Sequence, residues 1–570
     1  MKMNFYILKK NFLLITSIFL IFSSCNDSVL EENPKSFMTP ENSYITESGI
    51  LQGITGLNTE VRVAFYSMTR FTTMLTYRGM GTDIGYFGED PGTNRYLVDY
   101  VTYLTPESTE VSDLWDTGYR IISRANLVIE GINNLEENAF VKEDKNVYLA
   151  EAKFFRAWAY RFLVSTYGDI PLLTEPVKGA RADFTRDPVA DIHQLMLEDF
   201  KFGTENLPRP GEEASPGRLT QGVAWHYLAE TYLEMDEPQK AVDAATEVVN
   251  GYNYHLMTTR FGTRLDHDVF GSGDPFYDLY GFGNHNLSEN TEAMWVIQFE
   301  PYVTGGLQNG SGYIFGPSYF RLGNTPDGYP ATLGTFYEGK YTGYSDTLSR
   351  PVATMRGTDY SYYYIWQSDW SNDIRNAERN IKRNFYYDNP ASAYDGKKID
   401  FSLYKPGTRD AMRDTNQYIF PWHSKFGDAC HYFEQPDRAG GGKTHKDAYA
   451  LRFAETLLLR AEAYVDLGEN DLAADDINKI RNRAHATPVL PENVDIDYIL
   501  DEYARELWCE HWRHIILRRT GKLLERTRKF NSNPIFPGAR IQDYNVLWPI
   551  PQKQIDLNVD ADFAQNPGYE

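Results

Sequence analysis

The sequence predicts a mainly α-helical protein made of antiparallel helix pairs, interrupted by one long excursion of loops and short strands. Two stretches, around residues 225–249 and 451–484, carry apolar and small residues at the spacing of tetratricopeptide helix pairs. Between them, residues 252–445 are punctuated by Gly, Asn, Asp and Pro and read as loops and short strands. Because long non-helical stretches in compact proteins are usually functional, we expect this excursion to carry binding loops.

The first 24 residues are typical of an export signal. Three lysines are followed by the apolar run 12–22, which would rise only about 16 Å as a helix, too little for a bilayer core of roughly 30 Å. Two serines then precede Cys25, as in a lipobox, which predicts cleavage before Cys25 and diacylation of its thiol. The alternative is an ordinary signal peptide with an incidental cysteine. Double acylation would anchor the mature protein stably on a membrane.

The remaining chain divides by composition into a leash and one domain. Residues 25–40 are polar and acidic and suit a lipidated start followed by a solvated leash. No later stretch approaches ~18 consecutive apolar residues, so no further membrane span is expected. Within a single domain, 41–570, we expect helical repeats at about 41–250 and 446–530, the insertion at about 252–445, and a C-terminal docking segment, 531–570.

The composition excludes several classes of function. The formal charge of the chain is −23, and loss of a signal with three lysines and no acid makes it −26, which opposes binding to nucleic acid. Besides Cys25 there are only Cys430 and Cys509, too few for a disulfide framework; they could pair, but we expect two buried thiols. The 41 tyrosines offer apolar rings with polar tips, which suit surfaces that meet amphipathic ligands.

Helical signals follow one another in the first half of the chain. Thr39-Pro40 is a cap-and-proline start, and residues 112–134 carry an apolar stripe at helical spacing. Residues 145–167 repeat this pattern until Gly168 and Pro171 end it, and Asp187-Pro188 begins another helix.

Two segments then share one repeat register. In tetratricopeptide pairs, small residues let two helices approach closely while aromatic residues fill the space between neighbouring pairs. Because the two copies lie about 200 residues apart, the repeats are not expected to form a continuous solenoid. The first copy has Trp225, Leu228, Ala229, Tyr232, Ala241, Ala245 and Val248, and the second has Leu457, Arg460, Ala461, Tyr464, Ala473, Ile477 and Ile480.

Together these motifs resemble the SusD/RagB family of nutrient-binding outer-membrane lipoproteins of the Bacteroidetes. The resemblance runs nearly end to end and is carried by residues 25–34, 151–173, 225–249, 451–484, 499–522 and 547–569. It implies four helix pairs, a lipid-anchored protein facing the cell exterior, and a SusC-like TonB-dependent transporter as partner. It also implies an oligosaccharide cargo, with peptides as cargo in some relatives.

The segment 499–522 departs from the family pattern at one position. Ile516 stands where the family usually has Asp, between Arg513 and the end of the helix, which puts one polar contact in doubt. Glu506, Glu510 and Arg513 are spaced to lie on one face of a single helix, where we expect ion pairing that orients the helix.

Motifs for catalysis are weak, so no enzyme activity, metal or cofactor is expected. Gly440-Gly441-Gly442-Lys443-Thr444 ends like a phosphate loop, but its upstream glycine is replaced by Asp437. His511 and His514 could share a metal, but no third ligand accompanies them. Carboxylates are numerous, yet no motif singles out a glycosidase pair.

Two aromatic regions with interspersed polar residues are candidates for ligand binding. Sugar rings pack their C–H faces on aromatic rings, while amides and carboxylates bind the hydroxyl groups. For any single residue, packing beneath a loop is the competing interpretation. The candidate ligand-binding residues are Tyr77, Arg78, Asp83, Tyr86, Tyr96, Tyr100, Trp366, Trp370 and Asn372.

We therefore expect a non-enzymatic lipoprotein that binds glycans and delivers them to a SusC-like transporter. One alternative is capture of peptides by the same architecture. The other is a scaffold whose helix pairs bind a protein and whose aromatic loops form the interface. Stacking aromatics tolerate many sugars, so several classes of glycan are candidates.

Overall fold

A computed structural model describes residues 43–67, 75–88, 97–265, 273–337, 339–345, 348–400, 414–427 and 443–569. Several predicted features lie outside these residues: Cys25 with the leash, the helix start at 39–40, Tyr96, Cys430 and the glycines 440–442. Cys509 is a free and buried thiol, as expected.

Helices dominate the described chain, which confirms the predicted mainly α class. The predicted helices 112–134 and 145–167 correspond to α2 and α3, and both repeat segments form helix pairs, α5–α6 and α7–α8. Short helical turns lie between the long elements. The bounds are α1 Glu47–Phe65, α2 Thr109–Asn134, α3 Lys145–Tyr167, α4 Val189–Asn206, α5 Gln221–Glu234, α6 Pro238–Gly251, α7 Phe453–Asp466, α8 Asn470–Arg483, α9 Ile496–Glu506, α10 Arg513–Arg519, α11 Leu523–Phe530 and α12 Gln552–Leu557.

Local sequence explains where these helices begin and end. The Thr46 side chain accepts a hydrogen bond from the amide of Gly49 and caps α1, and Asp144 caps α3 in the same way. Gly168 ends α3 with φ of 74°, a left-handed conformation that favours glycine.

Eight helices, α1 to α8, pack side by side in chain order and form four pairs. We expected the repeats to be discontinuous, and for their three-dimensional packing this is wrong. Helix α6 packs directly against α7, although about 200 residues separate them in sequence. Small residues at the contact positions, among them Ala241, Ala245 and Ala461, are fully or nearly fully buried and allow this close approach. The row of packed helices α1 to α8 is therefore continuous in space, although the polypeptide is interrupted between α6 and α7 by the excursion.

The chain leaves and rejoins the row beside one two-stranded sheet. Forty-one residues separate α6 from strand β2, and β8, the antiparallel partner of β2, leads directly into α7. This pairing joins a segment in the first part of the excursion to the strand that follows its end. The strands are β1 Gly85–Phe87, β2 Ala293–Ile297, β3 Phe336–Tyr337, β4 Lys340–Tyr341, β5 Met355–Gly357, β6 Ile381–Lys382, β7 Trp422–His423 and β8 Ala448–Arg452, paired β1–β5, β2–β8, β3–β4 and β6–β7.

The segment 499–522 is two helices rather than the single helix expected. The helix is interrupted between α9 and α10, where Cys509 adopts a φ of 54°. The expected helix face is therefore wrong: Glu510 lies in the break, and Arg513 pairs with Asp83 at 2.6 Å instead of with either glutamate. Ile516, at the departure from the family pattern, is fully buried in α10.

A buried network of ion pairs joins the excursion to the helices. Arg452 of β8 donates to Glu506 at 2.8 Å and to Glu510 at 2.8 Å, and it also binds Glu292. Burial acts to raise the pKa of the Glu506 carboxyl, but three surrounding guanidinium groups hold it well below its usual range. Those three groups belong to Arg375, Arg452 and Arg483.

Among the described residues, no helix combines the length and apolar character needed to cross a bilayer.

Candidate functional site

The structure places most of the predicted binding residues of the first aromatic region in the protein interior. Tyr77 stacks on the ring of His514, with centroids 4.9 Å apart, and Tyr100 donates to the carbonyl of Gly81 at 3.1 Å. The Arg78 guanidinium donates to the carbonyl of Phe65 at 2.6 Å. A ligand in solvent does not reach these groups in this conformation. The buried candidates of this region are Tyr77, Arg78, Asp83, Tyr86 and Tyr100.

Asp83 has a clear structural partner set. Its carboxylate accepts hydrogen bonds from Arg513 at 2.6 Å and from Arg526 at 2.8 Å, and it has no solvent exposure. Burial acts to raise the pKa of this carboxyl, but the two guanidinium groups lower it to about 2. Asp83 thus joins the loop after α1 to α10 and α11.

The second aromatic region is divided between the core and the solvent. Residues Tyr364–Asp369 form a 3₁₀ helix, in which side chains three residues apart share a face. Trp366 is 1% exposed and its indole N–H donates to the carbonyl of Ser361 at 2.9 Å. Tyr364 lies on another face of this helix and is 57% exposed, and Trp370, the residue after the helix, is also at the surface.

An exposed aromatic pair forms beside this helix. The rings of Tyr363 and Trp370 are nearly parallel, at 12°, with centroids 6.3 Å apart, which is an offset arrangement. The Arg383 guanidinium lies over both rings, 4.8 Å from the centroid of Trp370 and 5.9 Å from that of Tyr363. Tyr363 is 37% and Trp370 46% exposed, so each ring offers surface to a ligand. We call Tyr363, Trp370 and Arg383 the aromatic platform.

Hydrogen bonds from neighbouring side chains hold the platform in place. Asn376 donates to the carbonyl of Trp370 at 2.7 Å and accepts from Arg383 at 2.6 Å, which fixes the stacked guanidinium relative to the indole. One residue before Trp370, Asp369 accepts from Arg481 of α8 at 2.7 Å and from the Thr487 amide at 2.9 Å. A surface anchored to the helix row in this way is preorganised for binding.

Polar groups suited to sugar hydroxyls lie beside the platform. The exposed Asn372, a predicted binding residue, keeps its backbone in place by donating to the carbonyl of Asp369 at 3.1 Å. Nearby, Glu378 accepts hydrogen bonds from Asn384 and from the amide of Arg383. The arrangement can stack and hydrogen-bond a ligand.

The motifs considered for catalysis have structural partners. The ring of His511 contacts Glu455 at 2.8 Å, and His514 donates to the carbonyl of Met80 at 2.8 Å. Burial lowers the pKa of His514 to about 3, so the ring is neutral. In the part of the chain that the structure describes, no group of three His, Cys, Asp or Glu side chains could hold a metal ion.

Sequence reasoning missed the role of Arg383. No motif links it to Trp370, which lies 13 residues earlier, and its position follows from the turn between them and the β6–β7 pairing. Tyr363 and Tyr364 belong to the predicted aromatic region, but only the structure separates them from the buried Trp366.

Residues 282–569, just over half of the chain, match the family model described as the SusD family. The chain belongs to the SusD family. Residues 92–233 also match a SusD-like model described as "Starch-binding associating with outer membrane". A SusD-like protein of Formosa agariphila is 25% identical, over 98% of this chain and 99% of its own length. The resemblance in the sequence is thereby confirmed.

Solved structures of SusD-like proteins share the fold. A SusD homolog from Bacteroides thetaiotaomicron superposes with a TM-score of 0.69 at 18% identity, covering 93% of this chain and 98% of its own. A laminarin-binding SusD-like protein superposes with a TM-score of 0.64 at 18% identity, covering 92% of this chain and all of its own. The SusD-like fold is therefore shared along almost the whole chain.

Proposed function

We propose that this protein binds oligosaccharides on the aromatic platform and does not change them chemically. The observation that carries the proposal is the exposed, offset ring pair of Tyr363 and Trp370, which Arg383 and Asn376 hold in place. Pyranose rings present C–H faces to such rings, and Asn372, an exposed residue two positions after Trp370, has a side-chain amide that can bind hydroxyl groups.

The relatives support a glycan as ligand. One structural neighbour is named for laminarin binding, and the family model over residues 92–233 is described as starch-binding. The six buried candidates, Trp366 and the five of the first region, reach a ligand only if the protein rearranges, so the proposal rests on the exposed residues.

We further propose that lipid on Cys25 anchors the protein in the outer membrane, facing the exterior, and that it hands glycans to a SusC-like TonB-dependent transporter. The lipobox before Cys25 and the description of the model matched by residues 92–233 support this placement. Lipid attachment holds a protein at the membrane surface, where a short transfer to a transporter is possible.

Titration calorimetry of residues 26–570 against a panel of oligosaccharides and oligopeptides tests the binding function. Saturable heat with one glycan class is the expected result. Heat only with peptides would instead support the alternative of peptide capture. The absence of binding heat with every member of the panel would contradict small-ligand binding and favour the protein-binding scaffold.

Replacing Cys25 by Ala is expected to abolish incorporation of labelled palmitate and to release the protein from the membrane fraction. The reason is that the thiol is the predicted acylation site, and without acyl chains no stable anchor is left. Labelling with fatty acid followed by membrane fractionation measures both effects. Replacement of Ser28 by Ala, three residues later, is the matched control and should change neither; a Cys25→Ala protein that still carries lipid would exclude this anchor.

A further inference from the structure

A cavity that shares no residue with the platform lies near the first helices, whereas the platform adjoins Asp369, which contacts α8. A cavity of about 390 Å³ opens between α2, the chain leaving α3 and the C-terminal segment around α12. Four of its ten lining residues are aromatic, and its polar lining includes Asp116 and Gln554, which are hydrogen-bonded to each other at 3.2 Å. The apolar lining residues are Trp115, Tyr119, Pro171, Leu173, Phe184 and Phe563.

Two exposed apolar side chains adjoin a lining residue of this cavity in sequence. Asn558 lines the cavity and exchanges two hydrogen bonds with the backbone of Phe184, which fixes the C-terminal segment against the loop after α3. The residues on either side of it, Leu557 and Val559, are 60% and 77% exposed. An aromatic pocket beside two exposed aliphatic side chains has the composition of a protein interface.

Acidic side chains outnumber basic ones around the cavity, although Arg181, paired with Asp183 at 2.8 Å, lies 4.7 Å from the ring centroid of Phe184. Asp116 lines the cavity, and Asp113 lies one helical turn away on α2; burial, followed by the neighbouring Glu110 and Asp116, raises the pKa of Asp113 to about 6. Arg120 also lines the cavity, but its guanidinium lies 3.6 Å from Glu60. The C-terminal segment adds Lys553 and the exposed acids Asp556, Asp560 and Asp562.

We propose that this cavity, with Leu557 and Val559, is a docking site for a basic segment of a partner protein that inserts one aromatic side chain. The aromatic wall receives the ring, the two aliphatic side chains cover the adjoining residues, and the acids of α2 and the C-terminal segment attract Lys or Arg. The site shares no residue with the aromatic platform, so it does not depend on the proposed glycan binding.

The probe is a synthetic peptide, acetyl-Lys-Leu-Trp-Leu-Lys-amide, titrated into residues 26–570 by calorimetry. We expect saturable binding that weakens at least tenfold when Ala replaces the Trp, since buried aromatic anchors dominate such contacts. Exchange of both Lys for Glu should also weaken it, and Asp116→Asn should do so by up to about fivefold, the range of an exposed ion pair.

Surface variants locate the site. The double variant Leu557→Ser and Val559→Ser is expected to weaken binding about tenfold, because two aliphatic side chains leave the contact. Leu490→Ser with Val141→Ser is the matched control, since these residues are 57% and 85% exposed on other surfaces. All four side chains are exposed, so folding is not expected to change.

Three results would overturn the proposal. The first is no binding of the Trp peptide, and the second is equal binding of the Ala peptide, which would indicate nonspecific attraction to an acidic protein. The third is tryptamine binding as tightly as the peptide with no effect of the Leu557 and Val559 variants, which would indicate a small-molecule pocket.

Discussion

Replacing Arg452 by Met is expected to destabilise the protein by about 3–5 kcal/mol, the usual cost of removing one partner from a buried ion pair. The Arg452 side chain has no solvent exposure and donates to Glu292, Glu506 and Glu510. Met fills a similar volume, but it leaves three buried carboxylates with less compensating charge. Because Arg452 ends β8, the loss should also loosen the closure of the excursion.

Urea unfolding followed by far-UV circular dichroism measures this effect. The control is Arg181→Met, which removes an exposed guanidinium paired with Asp183 and should change stability by no more than about 0.5 kcal/mol. The double variant Arg452→Met and Glu506→Gln should be less destabilised than the two single variants added together, because it removes charge of both signs. Equal midpoints for the Arg452 and Arg181 variants would contradict the role assigned to the network.

Replacing Trp370 by Ala is expected to weaken glycan binding at least tenfold, about 1.4 kcal/mol or more. The indole is the larger ring of the aromatic platform and, at 46%, the most exposed of the ten tryptophans, all of which the structure describes. Its removal also frees one side of the Arg383 guanidinium, so the remaining Tyr363 ring loses its fixed neighbour.

Calorimetry with the glycan found in the panel measures the loss of affinity. The Tyr363→Ala variant should lose less affinity than the Trp370→Ala variant. Tyr544→Ala is the matched control for the latter, because Tyr544 is 36% exposed and Tyr363 is 37% exposed. Unchanged affinity of the Trp370 variant with an unchanged circular dichroism spectrum would remove the platform from the binding site.

Much of the helical architecture could be predicted because its signals are local. The apolar stripe and the stop at Gly168 and Pro171 predicted α3 at its observed bounds, and the repeat register predicted α5–α6 and α7–α8. The break between α9 and α10 could not be predicted in this way. The residues across this break keep the apolar spacing of a helix. The break depends on the left-handed conformation of Cys509 and on partners of Glu510 and Arg513 that are distant in sequence.

The candidate site was predictable as a region but not as a surface. Composition pointed to the aromatic run around Trp366 and Trp370, yet burial of one and exposure of the other follow from a short 3₁₀ helix and its packing. The first region illustrates the same limit. Tyr and Asp are residue types common in sugar sites, but Tyr77 and Asp83 are buried. They contact His514 and Arg513, which lie more than 400 residues away in sequence.

The contact between α6 and α7 also imposes an order of events on folding. A partly folded chain in which α1 to α6 are packed before α7 arrives exposes the surface of α6 that α7 covers. Because this contact closes a loop of roughly 200 residues, it is expected to form late. The alanine- and valine-rich face of α6 is therefore the surface that chaperones would have to protect in the meantime.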